Sequence, residues 1–201
     1  MSHIGNLGHS ALLFPASVIL FGFLLWVGRR ADALALIAAL TVCLMATLIA
    51  KLAFHACEAR VLAFGIESPS GHASFSTAFY GCLALVVAAE RPRWQRTGIY
   101  IGTTLFVLLV GESRVIVEAH TLPDVIAGIS IGAISILVFQ TLRGPSRPLA
   151  LPFRVIALSV PAGAVLVTII LLFARHWTPE HHIEVAALRL DMWLSLCGST
   201  S

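Results

Sequence analysis

Residues Ala33–Phe54 read ALALIAALTVCLMATLIAKLAF, 22 residues in which Lys51, three positions before the end, is the one charged side chain. A helix of that length covers about 33 Å at 1.5 Å per residue, enough to cross the ~30 Å hydrocarbon core of a bilayer. Working outward, five more apolar runs follow the same pattern: Ala11–Gly28, Ala73–Ala89, Thr97–Val110, Leu122–Leu142 and Val155–Ala174. Thr97–Val110 is short for a span, but its neighbours keep consistent sides only if it crosses too. The expected fold is an all-α, polytopic membrane bundle of about six helices, built as one domain over residues 1–201 without repeats or low-complexity linkers.

Composition agrees. The chain has 201 residues, 58% hydrophobic and 11% charged, with a mean hydropathy of +0.93. A soluble domain carries about 25% charged residues, so this chain could not cover a water-facing surface. Disorder is excluded by the same shortage of charge. The net charge of +3 comes with no basic stripe, which excludes nucleic acid as a partner. Cys43 and Cys82 lie inside apolar runs as small packed hydrophobes, and Cys57 and Cys197 form no CxxC pair or metal spacing.

The charges are sorted. Arg29 and Arg30, then Arg91, Arg93 and Arg96, then Arg143, Arg147 and Arg154 occupy the first, third and fifth connections. The positive-inside rule assigns that side to the cytoplasm. The second and fourth connections, with Glu58, Glu67, Glu112, Glu118 and Asp124, then face outward together with both termini. Met1–Ser10 has no basic n-region, so the first run is expected to be an N-out anchor and not a cleaved signal. The absence of an Asn-x-Ser/Thr sequon and the short loops point to a bacterial inner membrane. The segment Ile183–Cys197 predicts an interfacial amphipathic helix, and the Gly128/Gly132 pair predicts close packing inside the bundle ahead of a dimer contact. Oligomeric state is left open.

Ionisable groups beside membrane spans are costly and mark function. Here they gather on the outer side: Lys51, His55, Arg60 and Ser68-Pro69-Ser70-Gly71-His72 from the second connection, Ser113-Arg114, His120 and Thr121-Leu122-Pro123-Asp124 from the fourth. Ser70 is placed to cap the third span, whose first amides, beginning at Gly71, make an anion site. Thr121 and Asp124 have capping-box spacing at the start of the fifth span, with Asp124 close enough to orient His120. Lys51 and Arg114 add fixed positive charge, and Arg114 can grip two phosphate oxygens. An anion cradle, a carboxylate-oriented histidine and a second histidine together suit phosphoryl transfer through a phosphohistidine. A metal site is the competing use of two histidines and an aspartate; the adjacent cations disfavour it, because they repel a metal ion while attracting phosphate. His55, one turn after Lys51, is placed to touch substrate. His3, His9, His176, His181 and His182 read as surface or interfacial residues, and the four tryptophans as an aromatic belt.

The run Pro69-Ser70-Gly71-His72, followed by Ser113-Arg114, five residues, His120, three residues and Asp124, resembles the type-2 phosphatidic acid phosphatase (PAP2) superfamily, whose second and third signatures it completes in order. The first signature, K-x6-RP, is broken: Lys51 stands at its start, but Glu58 holds the arginine position, and Arg60 is two residues late and followed by Val61. The resemblance implies that His120 attacks phosphorus with Asp124 behind it, and that His72 protonates the leaving oxygen and then activates water. Lys51, Arg114, Ser70, Gly71, Ser113 and, in place of the missing arginine, Arg60 would hold the phosphate. It implies no metal and no cofactor. The expected activity is removal of phosphate from a membrane lipid phosphate or diphosphate at the outer, periplasmic face, such as polyprenyl diphosphate, phosphatidate, phosphatidylglycerophosphate or lipid A. The alternatives are a lipid phosphotransferase using the same site and a non-catalytic lipid-phosphate binding or transport protein.

Overall fold

The computed structural model describes residues 10–56, 68–89 and 91–144. They form five helices: α1 (Ser10–Trp26), α2 (Arg30–Ala56), α3 (Gly71–Ala88), α4 (Arg93–Ile116) and α5 (Leu122–Leu142). The expected span Val155–Ala174, the segment 183–197, Arg60, Cys57 and Cys197 lie outside the described residues. The described chain is all-helical, and α2 to α5 are each long and apolar enough to cross a membrane. α1, at 17 residues, is shorter and carries Pro15 within it, which a helix in a bundle tolerates because neighbours re-satisfy the freed carbonyl.

α4 is much longer than its apolar run suggested. Arg93–Arg96 and Glu112–Arg114 extend Thr97–Val110 into a helix of 24 residues. Arginine, glutamine and glutamate are good helix formers whose heads can reach water from a buried stem, so the helix outlasts its hydropathy.

α3 is the central helix, with 61% of its most apolar window buried against 22% for α4. It packs on α5 and α2, and Phe75, Ala78, Phe79 and Cys82 meet Leu36, Leu40 and Cys43 of α2 and Phe139 of α5. Cys43 and Cys82 are buried free thiols. Lipid offers no hydrophobic drive between helices, so close packing depends on small residues. A Cβ on Gly128 would lie 2.5 Å from the Ser70 carbonyl oxygen, and one on Gly132 would lie 2.5 Å from Thr77 Cβ. The GxxxG pair therefore serves the α3–α5 contact within the bundle. Facing outward are large apolar side chains such as Val18, Leu34, Ile49, Ile101, Leu105 and Leu137. In water these would form an apolar surface far beyond what a soluble protein exposes. The bundle is integrated in a membrane.

At one end of the bundle Asp32 links two arginines: its Oδ2 accepts from Arg29 Nε and its Oδ1 from Arg143 Nε at 3.2 Å. Arg143 Nη1 also donates to the Leu85 carbonyl at 3.1 Å. The ends of α3 and α5 and the α1–α2 turn are thereby tied together. The candidate site lies at the other end.

Candidate active site

The C-terminal turns of α2 and α4 and the N-termini of α3 and α5 meet at one end of the bundle. Ser70 caps α3 from extended backbone (φ −67°, ψ 111°), its Oγ accepting the Ala73 N–H at 3.4 Å. Ser70 itself is fully buried in the packed start of the helix. A Cβ on Gly71 would meet Lys51 Cε at 3.8 Å and Thr47 Cγ2 at 4.0 Å. The Lys51 stem, 7% exposed, thus runs against the first turn of α3. Thr47 Oγ1 and Ser74 Oγ, 2.9 Å apart, fix α2 to α3 beside it. His72, partly buried, sits in the same first turn.

α5 opens with the expected capping box. Thr121 Oγ1 accepts the Asp124 N–H at 3.3 Å, and Asp124 Oδ2 accepts the Thr121 N–H at 3.1 Å. Pro123 stands in the first turn, where its missing N–H costs nothing. Asp124, 1% exposed, also reaches across the bundle: its Oδ1 accepts the Ser68 N–H at 2.9 Å, and its carbonyl accepts the Ser70 N–H at 3.0 Å. One residue therefore caps its own helix and clamps the loop that feeds α3. His120 Nδ1 lies 3.7 Å from Asp124 Oδ2, within ion-pair range but longer than a hydrogen bond. Catalytic hydrogen bonds are often long without substrate and tighten in the complex.

The five residues between Arg114 and His120 have a defined task. α4 ends in a Schellman turn: the Ala119 N–H donates to the Arg114 carbonyl at 3.0 Å and the Glu118 N–H to the Val115 carbonyl at 3.0 Å. Glu118 takes the left-handed position usually held by glycine, at φ 54°. The His120 N–H also points to the Arg114 carbonyl, at 3.4 Å. The turn folds His120 back over the helix end that carries Arg114, whose charge is favoured there by the helix dipole.

Lys51, Ser70, Gly71, His72, Arg114, His120 and Asp124 all lie at this end. Ser113 is there too, 6% exposed, but its hydroxyl donates to the Val110 carbonyl at 2.6 Å and would have to exchange that bond to reach a phosphate. His55 falls in the last turn of α2, its side chain outside the described set, as is all of Arg60. Ser68 stands in the run that the sequence places on the outer side, but the sequence assigns it no role. Its part is played by a backbone N–H, which every residue but proline has, so only the approach of loop to helix reveals it. Two cations, a capped helix N-terminus and a carboxylate-backed imidazole can hold a phosphate and attack it. Among the described residues no group of three or more His, Cys, Asp or Glu side chains is placed to hold a metal ion.

Residues 52–147 match the PAP2 superfamily, whose members are phosphatases acting on phosphate esters. An "Uncharacterized 22.5 kDa protein in cps region" of Klebsiella pneumoniae is 27% identical over 144 residues, covering 70% of this chain and 68% of that protein. No solved structure matches the chain significantly. The matched stretch begins one residue after Lys51 and contains His72, Arg114, His120 and Asp124, so that the chain carries a PAP2 superfamily segment over residues 52–147.

Proposed function

We propose that this protein is a metal-independent lipid phosphatase of a bacterial inner membrane, removing phosphate from a lipid phosphate or diphosphate at the periplasmic face. The observation that carries the proposal is that the Ser70-capped start of α3, with Lys51 alongside Gly71, is hydrogen-bonded to Asp124, which stands beside His120 at the same end of the bundle.

Asp124 Oδ2 faces Nδ1 of His120, which leaves Nε2 as the attacking nitrogen. Nε2 forms a bond to phosphorus as the bond to the leaving oxygen breaks, and His72 gives that oxygen a proton. His72 then takes a proton from water, whose oxygen bonds phosphorus as the N–P bond breaks, releasing inorganic phosphate and restoring both imidazoles. Lys51, Arg114 and the first amides of α3 stabilise the charge on the equatorial oxygens. Asp124, held by two backbone N–H donors, stabilises the imidazolium.

A lipid substrate is supported by a mainly apolar cavity of about 390 Å³ between α3, α4 and α5, lined by Gly81, Leu85, Val107, Leu108, Ile129 and Ile136 among others. It also takes in Thr77, five residues along α3 from His72, so a tail lying in it would leave its headgroup near the histidines. The periplasmic assignment rests on the arginines at the opposite end.

The test is phosphate release from a panel of lipid phosphates by purified protein, with His120→Ala alongside. Wild type should release phosphate in the presence of chelator, vanadate should block it, and His120→Ala should be inactive while folded. Loss of activity with chelator refutes metal independence; phosphate release by His120→Ala at the wild-type rate refutes the nucleophile.

A further inference from the structure

The end of the bundle away from the histidines holds a second cavity, of about 320 Å³, lined by Gly28, Arg29, Arg30, Ala31, Asp32, Arg143 and Gly144. Asp32 and Lys51 are 19 residues apart on α2, which at 1.5 Å per residue separates the cavity from the candidate active site by about 28 Å. That is one hydrocarbon thickness, so the two lie at opposite membrane surfaces.

The Asp32 bridge accounts for only one edge of Arg29. Both carboxylate oxygens are engaged by the Nε groups of Arg29 and Arg143. Arg29 is 5% exposed, yet its Nη1 and Nη2 are buried with no hydrogen-bond partner among the described residues. A buried guanidinium edge without acceptors is costly, and an inter-helix staple needs no such edge. The local charge is also unbalanced. Arg29, Arg30 and Arg143 line the cavity together with one carboxylate, Asp32, and the cavity lies at the N-terminus of α2, where the helix dipole favours an anion.

We propose that this cavity binds a phosphate-bearing anion, taken either from an anionic lipid headgroup in that leaflet or from free phosphate. The paired Nη groups of Arg29 match two oxygens of a phosphate, and Arg30 supplies the outer charge. A basic pocket between helix ends at a membrane surface is suited to lipid phosphates. This site is separate from the proposed chemistry and does not depend on it.

The test uses the full chain purified in neutral detergent, with phosphatidylglycerol, phosphatidylcholine or inorganic phosphate added, read by native mass spectrometry and thermal midpoint. Wild type should retain phosphatidylglycerol over phosphatidylcholine, and Arg29→Gln should weaken retention about tenfold, the worth of one charged hydrogen-bond pair. Arg30→Gln, which leaves the Asp32 bridge whole, should weaken it in the same direction if Arg29→Gln fails to fold. Arg114→Gln, at the other end, should leave it unchanged. Stabilisation by inorganic phosphate that also displaces the lipid assigns the site to free phosphate; stabilisation by phosphatidylglycerol alone assigns it to the headgroup. Equal retention of the two lipids with no response to phosphate, retention unaffected by Arg29→Gln and Arg30→Gln, or a loss that follows Arg114→Gln overturns the proposal.

Discussion

Replacing Gly128 by alanine puts a methyl carbon 2.5 Å from the Ser70 carbonyl oxygen, 3.2 Å from Ala73 Cβ and 3.3 Å from Ser74 N. Two of these three atoms belong to backbone, so no side-chain rotation relieves the overlap. Ordinary contact begins at 3.4 Å, and reaching it from 2.5 Å moves the start of α3 from α5 by about 0.9 Å. The Ser70 N–H bond to the Asp124 carbonyl, at 3.0 Å, and the Ser68 N–H bond to Asp124 Oδ1, at 2.9 Å, lie across that gap and would stretch with it. Overpacking of this kind costs about 1–3 kcal/mol. The larger effect is on chemistry: a misplacement near 1 Å costs on the order of 100-fold in rate, because His72 travels with α3 while His120 stays with α5. The assay is kcat/KM for phosphate release, paired with the thermal midpoint in the same detergent. Gly102→Ala is the control, since a Cβ there meets nothing within 4 Å. A Gly128→Ala protein as active as Gly102→Ala would show that the α3–α5 spacing does not position the site.

Other substitutions probe the separate parts. Asp124→Asn must turn an amide N–H₂ toward one of the two N–H donors that the carboxylate now accepts, so it should lose about 1–3 kcal/mol of stability and at least about 100-fold in kcat, measured by thermal unfolding and phosphate release. Ser68→Pro removes the N–H that donates to Asp124 Oδ1; it should lower kcat more than it raises KM, whereas Ser68→Ala keeps the donor and should stay near wild type. Glu118 holds a left-handed conformation at φ 54°; Glu118→Gly should be neutral or stabilising by up to about 1 kcal/mol, and Glu118→Val destabilising by about 1–2 kcal/mol, by thermal midpoint. Gly132→Ala meets the Ser74 carbonyl oxygen at 2.6 Å and Thr77 Cβ at 2.5 Å; it should destabilise the monomer itself, so a variant that only shifted oligomeric state would refute the internal role of this glycine.

The helix caps at the candidate site were legible along the chain because they follow short-range rules. A serine before Gly71-His72, a threonine three residues before Asp124 and a proline between them specify helix caps wherever the helices go. Charge placement divided the connections in the same way. The reach of α4 was less legible, because hydropathy marks where lipid contact ends and not where helical hydrogen bonding ends. Arg60, the sixth run and the tail 183–197 lie outside the described residues and stay expectations.

The one-dimensional pattern established a membrane bundle, the order of its spans and the residue types gathered toward one end, since hydrophobic length and capping are properties of neighbours in sequence. Helix rotation and approach are not, because they depend on which small residues from distant segments meet. Packing through Gly128 and Gly132 sets α3 against α5, brings the Ser68 backbone to Asp124, lays Lys51 along Gly71 and closes Asp32 onto Arg143. Those contacts join residues from 20 to 111 positions apart in the chain, and no local spacing encodes them.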